Sequence, residues 1–437
     1  MTNGTGANSL GIATQIGYGI GQIAGQVFRD VPSLLLLFFM TTVLGIAPAV
    51  AGTAIFMPKL VFGVGCDMAA GVLSDRWQHR FPRRRWLLVG GAGAPAAMLL
   101  LFHVPEGSTL LRVGYVAAMF SLYMAVFASF SVPYLAMSGD LASTPQQRSI
   151  LMAWRLVFTA VGVLIASAIA PAIVQSGGGG QAAYETMAAY LALLCPIVLL
   201  MAYFGSGQPV TDGRMPRPPM TVRDALRVLR VPRFSVLFGV NILQLAGSGM
   251  GYAALLYFLA YNMGRTDALQ VIGGIVVASC IGIVVAQPMW VVLSGWIGKR
   301  PAYVLGSLIY SIAYIIWALS ADAGVNFAYG LAFAAAIGNS GWAMLGFSMV
   351  SDIAGDDEAH AGLYAAAWVA ADKIGFALGG TLLVGLILSG FGFDSARAVA
   401  GLPQTDLALT GVMIAFGFAP ATLNLLGAAV LSRWGRD

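Results

Sequence analysis

Seven ionisable residues sit inside stretches of this sequence that are otherwise apolar: Arg29, Asp30, Lys59, Asp67, Arg155, Asp372 and Lys373. A charge at bilayer depth costs roughly 2.5 to 3.5 kcal/mol or more, so such residues are rarely idle. Asp67 is the candidate for ion coupling. A carboxylate in a low-dielectric cavity can gain or lose a proton, or hold a cation, as its neighbours move. With Gly71 and Asp75 it falls at i, i+4 and i+8, near one face of a helix. Arg29 carries a planar guanidinium fork suited to a carboxylate, sulfate or phosphate. Four of the seven groups are basic and three acidic, one surplus positive charge if all are ionised. Structural assignments stand beside these functional ones: Asp67 as a permanent partner of Arg155 or Lys373, Lys373 as charge balance for Asp372 or Asp67, and Arg29 paired only with Asp30 or Asp67. Lys59 lies two turns from Asp67, about 12 Å along the axis, and either snorkels or faces a cavity.

The elements that must hold these groups are membrane spans. The chain has 437 residues, 59% hydrophobic and 9% charged, with a mean hydropathy of +0.82, whereas soluble domains are about one quarter charged. Twelve segments long enough to cross a bilayer are predicted near 12–42, 46–76, 85–104, 109–140, 147–175, 181–205, 233–263, 268–298, 301–320, 325–353, 360–390 and 405–433. The fold class is therefore an all-α polytopic membrane protein. No cleavable signal peptide is read in the first ten residues. Residues 206 to 233 form the one long interruption, with Pro209, Pro216, Pro218 and Pro219 ahead of TVRDALRVLRVPR. There Thr221 and Asp224 suggest a cap on a short amphipathic helix. The division is then 1–206, a cytoplasmic linker at 207–232, and 233–437.

Charge placement sets the expected topology. Of the 23 Lys and Arg, 16 fall in alternate loops and the C-terminal tail, while Arg112, Arg265 and Arg397 fall on the other side. By the positive-inside rule both termini are cytoplasmic, in the cell (inner) membrane. Those arginines are divided among loops, so nucleic acid is not an expected partner. Cys66, Cys195 and Cys280 have no metal-binding spacing, and His79, His103 and His360 form no cluster. No nucleotide-binding motif is present, since Gly177 to Gly180 are not followed by Lys and a hydroxyl residue. An enzyme is not expected, nor a metal or cofactor.

Four passages carry a resemblance to a known family. Residues 59 to 85, KLVFGVGCDMAAGVLSDRWQHRFPRRR, place Asp67, Gly71, Asp75-Arg76, Arg83 to Arg85 and then Trp86 in order. Segment 1 opens with Tyr18-Gly19, segment 4 ends in SVPYLAMSGDL with Pro133-Tyr134, and Arg148 and Arg155 follow. The second half repeats the basic hinge in QPMWVVLSGWIGKR, 287 to 300, and then supplies Ser348, Met349, Asp352, Asp356 to Glu358, Gly362, Tyr364 and Lys373. Together these resemble the glycoside-pentoside-hexuronide:cation symporters, the melibiose-permease-like branch of the major facilitator superfamily. Departures are visible: Met68 stands where the family has Pro, and the basic run between the acidic cluster and the Gly-Tyr is missing.

The resemblance implies two pseudo-symmetric six-helix bundles that rock around a midplane site. It makes Lys373 the helix 11 lysine that helps link cation binding to movement. It also makes Gln26 the counterpart of an acid that binds sugar hydroxyls, with Arg29 three positions later. The family's sodium site draws on three further side chains, and the aligned positions here are Gly63, Cys66 and about Ala128, none with a suitable oxygen. Proton coupling, or none, is thus favoured over sodium, with Asp67 and Lys373 as the coupling pair. An anionic solute such as a uronide or organic acid is expected. Gln26, Arg29, Tyr134, Arg155, Tyr257, Asn262, Trp342 and Trp368 are the candidate contacts, ordinary packing being the alternative for each aromatic or amide. Asp75, Arg76, Arg148, Asp352, Asp356, Asp357 and Glu358 belong to a cytoplasmic rim, where Asp75-Arg76 and Asp352 with the acidic cluster are expected to pair across the halves. A monomer surrounded by lipid is expected. The rival readings are a sodium- or proton-coupled symporter of a neutral glycoside, and a lipid-handling or assembly protein on the same fold.

Overall fold

The computed structural model describes residues 10–142, 144–207, 228–357 and 361–433. Among them are twelve helices long and apolar enough to cross a membrane: α1 Ile12–Thr42, α2 Pro48–Arg76, α3 Arg83–Phe102, α4 Thr109–Leu141, α5 Gln146–Ser176, α6 Gln181–Gly205, α7 Pro232–Asn262, α8 Ala268–Ile297, α9 Lys299–Leu319, α10 Val325–Asp356, α11 Leu363–Gly390 and α12 Asp406–Arg433. The expected number of spans is met, and α10 runs on to Asp356. Linker residues 208 to 227, with Thr221 and Asp224, lie outside the described residues, as do Glu358 and His360.

Helix starts follow local chemistry. Ser108 accepts from the Leu111 amide at 3.4 Å, and Thr144 accepts from the Gln147 amide at 3.2 Å just ahead of Pro145. Each hydroxyl satisfies an amide that the first turn leaves without a partner. Widened i→i+5 turns interrupt α5 at Ile165–Ile169 and α12 at Ile414–Phe418, shortly before Pro171 and Pro420. Such turns commonly arise where the ordinary ladder is disturbed.

The chain gathers into two compact units, Met1–Val31 with Val61–Pro218, and Pro32–Leu60 with Pro219–Asp437. The division runs through α1 at Pro32 and through α2 just past Pro58. Proline has no amide to donate, so Pro32 deprives the Phe28 carbonyl of its helical partner. The Tyr123 hydroxyl of α4 donates to that carbonyl at 3.1 Å. In the second unit, the later part of α1 and the earlier part of α2 pack on α7 and α11. There the Thr41 and Tyr257 hydroxyls meet at 2.6 Å, and Ser389 Oγ accepts from the Ala49 amide at 2.8 Å.

Candidate functional site

In the first unit, four polar side chains from α1 and α5 form a continuous ladder. Gln22, Gln26 and Asp30 recur every four residues, so they stack along one face of α1. The Arg155 Nε–H of α5 donates to Gln22 Oε1 at 2.8 Å. Gln22 Nε2 donates to Gln26 Oε1 at 3.4 Å, and Gln26 Nε2 donates to Asp30 Oδ2 at 2.6 Å. Gly162 of α5 makes the approach possible, because a methyl group there would come within 2.6 Å of Gln26 Cβ. Trp154, next to Arg155, adds a second tie by donating to Gln15 Oε1 at 3.0 Å.

The orientation of both amides follows from the ends of the ladder. A guanidinium has donors only, which turns the Gln22 oxygen towards Arg155. An ionised carboxylate has acceptors only, which turns the Gln26 nitrogen towards Asp30. The middle contact is then automatically donor to acceptor. Arg155 is half-buried, with Met152 Sδ at 3.9 Å and the Tyr18 and Tyr134 hydroxyls within electrostatic range. No carboxylate among the described residues forms an ion pair with it.

Arg29 lies beside this ladder rather than in it. Its side chain is 60% exposed, while that of Asp30 is 13% exposed, and their closest charged atoms stand 3.8 Å apart. A distance of 3.8 Å is an ion pair and not a hydrogen bond. Asp67 is half-buried on α2, on the stretch where Gly63 and Gly71 face Met124 and Val132 of α4.

The second unit holds the remaining buried charges. Lys59 Nζ donates to Ser33 Oγ at 3.1 Å and lies 5.7 Å above the Phe376 ring. It is therefore anchored by α1 and α11. Asp372 accepts from the buried Asn241 amide of α7 at 2.8 Å, and its neighbour Lys373 is exposed on α11.

Several expected solute contacts have packing partners within the protein. Tyr134 is buried, stacks on Tyr18 with ring centres 4.9 Å apart, and donates to the Tyr18 carbonyl at 2.7 Å. Tyr257 is enclosed by Phe38 and Phe393 and bonded to Thr41. Trp342 and Trp368 belong to a core with Phe234, Trp290 and Tyr303. Asn262 ends α7, where its Nδ2 donates to the Leu409 carbonyl at 3.0 Å. In each case an aromatic or amide side chain that suits a solute also suits a helix contact.

Asp75 and Asp352 each make an ion pair inside their own unit. Arg83 donates to Asp75 and to Asp140, each at 2.6 Å. Lys299 meets Asp352 at 2.5 Å. Arg76, Arg148 and Asp356 are exposed, and Asp357 accepts from the Tyr364 hydroxyl at 3.3 Å. A cleft of about 500 Å³ by the α7–α8 connection is lined by Arg265, Asp267, Gln270 and Tyr329. Its two charges already neutralise each other through bonds of 2.7 and 2.6 Å.

Sequence reasoning left Gln22, Asp30 as a ladder terminus, and Asp140 unassigned, along with the supporting residues Gln15, Trp154 and Ser33. The spacing 22, 26, 30 was the available signal for the first two. The acid closing SVPYLAMSGDL was the signal for the third.

Comparison with known proteins places these features. The MFS/sugar transport protein family matches residues 17–435. The inner membrane symporter YicJ of Escherichia coli is 23% identical over 97% of this chain and 92% of its own length. A glucuronide carrier protein homolog of the same organism is 23% identical over 70% of this chain and 66% of its own. The crystal structure of the nucleoside transporter NupG superposes with a TM-score of 0.73 at 12% identity, over 96% of this chain and 99% of that one, which shows a shared major facilitator fold. A family match along nearly the whole chain, twelve spans and the symporter relatives agree, and the chain is a multi-pass membrane transporter that belongs to the glycoside-pentoside-hexuronide:cation symporter family.

Proposed function

We propose that this transporter couples proton movement to the transport of an anionic organic solute, such as a uronide or another organic acid. The observation that carries the reading is Arg155, a half-buried guanidinium within a membrane span whose hydrogen-bond partners among the described residues are a neutral amide and a thioether. A cation held by neutral groups keeps its charge for an incoming anion, whereas one neutralised by a carboxylate would not. The exposed fork of Arg29 adds a second anion-attracting group. Similarity to a glucuronide carrier homolog supports the same solute class. Proton is favoured over sodium because Gly63, Cys66 and about Ala128, the positions that the resemblance aligns with the family's sodium ligands, carry no suitable side-chain oxygen. Asp67 and Lys373 remain the proposed coupling pair. The proposal includes two six-helix halves joined by the 207–232 linker, alternating access, cytoplasmic termini and a monomer.

The test is thermal stability of the purified protein against phenyl glucoside and phenyl glucuronide, with and without sodium and across pH. A ligand that binds the folded state raises apparent stability with its occupancy. Stabilisation by the glucuronide, indifferent to sodium and dependent on pH, is expected. Arg155→Gln should weaken that binding about 10- to 100-fold, as loss of a charge-assisted contact of about 1.5 to 3 kcal/mol implies. Stabilisation by the neutral glucoside with sodium alone would overturn the proposal.

A further inference from the structure

Three hydrogen bonds connect a cation on α5 to a carboxylate two turns along α1, and both amides between them point the same way. We infer that Asp30 is a proton-binding site whose protonation state is transmitted through Gln26 and Gln22 to the Arg155 guanidinium, so that taking up a proton releases Arg155 to bind an anion. The inference rests on the anionic-solute reading and adds, beside the Asp67 and Lys373 pair, a proton site that acts on the solute-binding cation.

The argument is one of hydrogen-bond polarity. With Asp30 ionised, every contact runs donor to acceptor from Arg155 to Asp30. Aligned bonds of this kind polarise and strengthen one another. When Asp30 takes a proton from hydronium, an O–H forms on the carboxyl as one O–H of the hydronium breaks to leave water, and no other covalent bond changes. The new O–H needs an acceptor, which Gln26 provides by turning its oxygen towards Asp30. Its amide nitrogen then faces Gln22, which must present its own oxygen there. That leaves the Gln22 nitrogen against Arg155, donor against donor, and the contact is lost. The 3.4 Å central bond is the longest of the three, and both amides must turn around it.

Other groups acting on Asp30 are compatible with this role. Arg29 on the same helix stands at 3.8 Å. From α4, the Tyr123 hydroxyl lies within electrostatic range of Asp30 and of Cys195 on α6.

The test reads Asp30 directly. In full-length protein in lipid, the carbonyl stretch of a protonated Asp30 is assigned by its loss in Asp30→Asn and followed against pH. Gln22→Met removes one amide and leaves every charge in place. It should move the Asp30 midpoint upward by about one pH unit, a tenfold gain in proton affinity, because Gln26 can then turn without opposition. An unmoved midpoint overturns the inference, as does the absence of an Asp30 band down to about pH 4. Should Gln22→Met not fold, Arg155→Gln cuts the far end and must shift the midpoint in the same direction.

Phenyl glucuronide separates this inference from the reading beneath it. In the parent protein it should raise the Asp30 midpoint, and in Gln22→Met it should not. If the glucuronide fails to bind while Gln22→Met still moves the midpoint, the solute class is wrong and the ladder stands. If it binds and the midpoint ignores Gln22, the ladder is wrong and the solute class stands.

Discussion

Arg83 joins two acids, Asp75 on α2 and Asp140 on α4, with two contacts of the same 2.6 Å length. Equal distances do not imply equal energies, because Asp75 is 48% exposed, Asp140 is 19% exposed and Arg83 itself is 16% exposed. Water competes with the first contact and is largely excluded from the second. An exposed ion pair contributes about 0.2 to 1 kcal/mol, whereas a charge-assisted bond shielded from water contributes about 1.5 to 3 kcal/mol. Removing Arg83 also leaves two carboxylates facing one vacated position. Double-mutant cycles with Arg83→Gln, Asp75→Asn and Asp140→Asn, read by reversible unfolding in mixed micelles, should therefore give a larger coupling for Asp140 than for Asp75. Arg83→Gln alone should cost more than Asp75→Asn, and Asp140→Asn should partly rescue it. A coupling to Asp75 as large as that to Asp140 would refute the burial argument.

Gly162→Ala should strain the α1–α5 contact at Gln26, costing about 1 to 3 kcal/mol, seen as lower apparent thermal stability and reduced solute uptake; unchanged values would contradict so close an approach. Tyr123→Phe leaves the Phe28 carbonyl without its donor and should cost about 1 to 3 kcal/mol by unfolding. In a Pro32→Ala background the cost should nearly vanish, because the substitution restores a backbone amide that can donate to that carbonyl. Outside the spans, hydrogen bonds from Arg265 hold the Asp267 carboxyl below its ordinary value of 3.8. A group lowered in the folded state stabilises above the unfolded value and loses that contribution as pH falls through the folded one. The stability difference between the parent and Asp267→Asn should thus be constant at neutral pH and shrink below about pH 4.

Spans were legible because a bilayer imposes length and composition on any helix that crosses it. The ladder was only half legible. Its α1 members announce themselves by spacing, but their partner Arg155 lies 133 residues from Gln22, and nothing in a periodicity indicates which helix brings a guanidinium to an amide. Counting charges drew attention to Arg29, the more exposed member of its pair, and treated the buried Asp30 as balance. Residue type likewise left Tyr134, Tyr257, Trp342 and Trp368 open to solute contact or ordinary packing, and it does not reveal that their neighbours include Tyr18, Thr41 and Tyr303. The unit boundary at Pro32 and near Pro58 was not readable either. The prolines are visible, but the contacts that assign each half-helix are not local.

A comparison of the two halves in chain order separates what the fold requires from what the solute requires. The basic residue opening α3, Arg83, pairs with an acid late in α4, and the basic residue opening α9, Lys299, pairs with an acid late in α10. The first and fifth helices of each half are also tied by a buried amide: Gln22 to Arg155 in one, Asn241 to Asp372 in the other. The rim pairs keep the same sign in both halves, as expected of a structural device that any solute tolerates. The amide ties keep their geometry and reverse their sign, a guanidinium on α5 and a carboxylate on α11. A neutral amide can hold either charge, since it carries both a donor and an acceptor. The backbone arrangement therefore does not dictate the sign, and a family that changes its solute can change the charge on the fifth helix without rebuilding the contact beneath it.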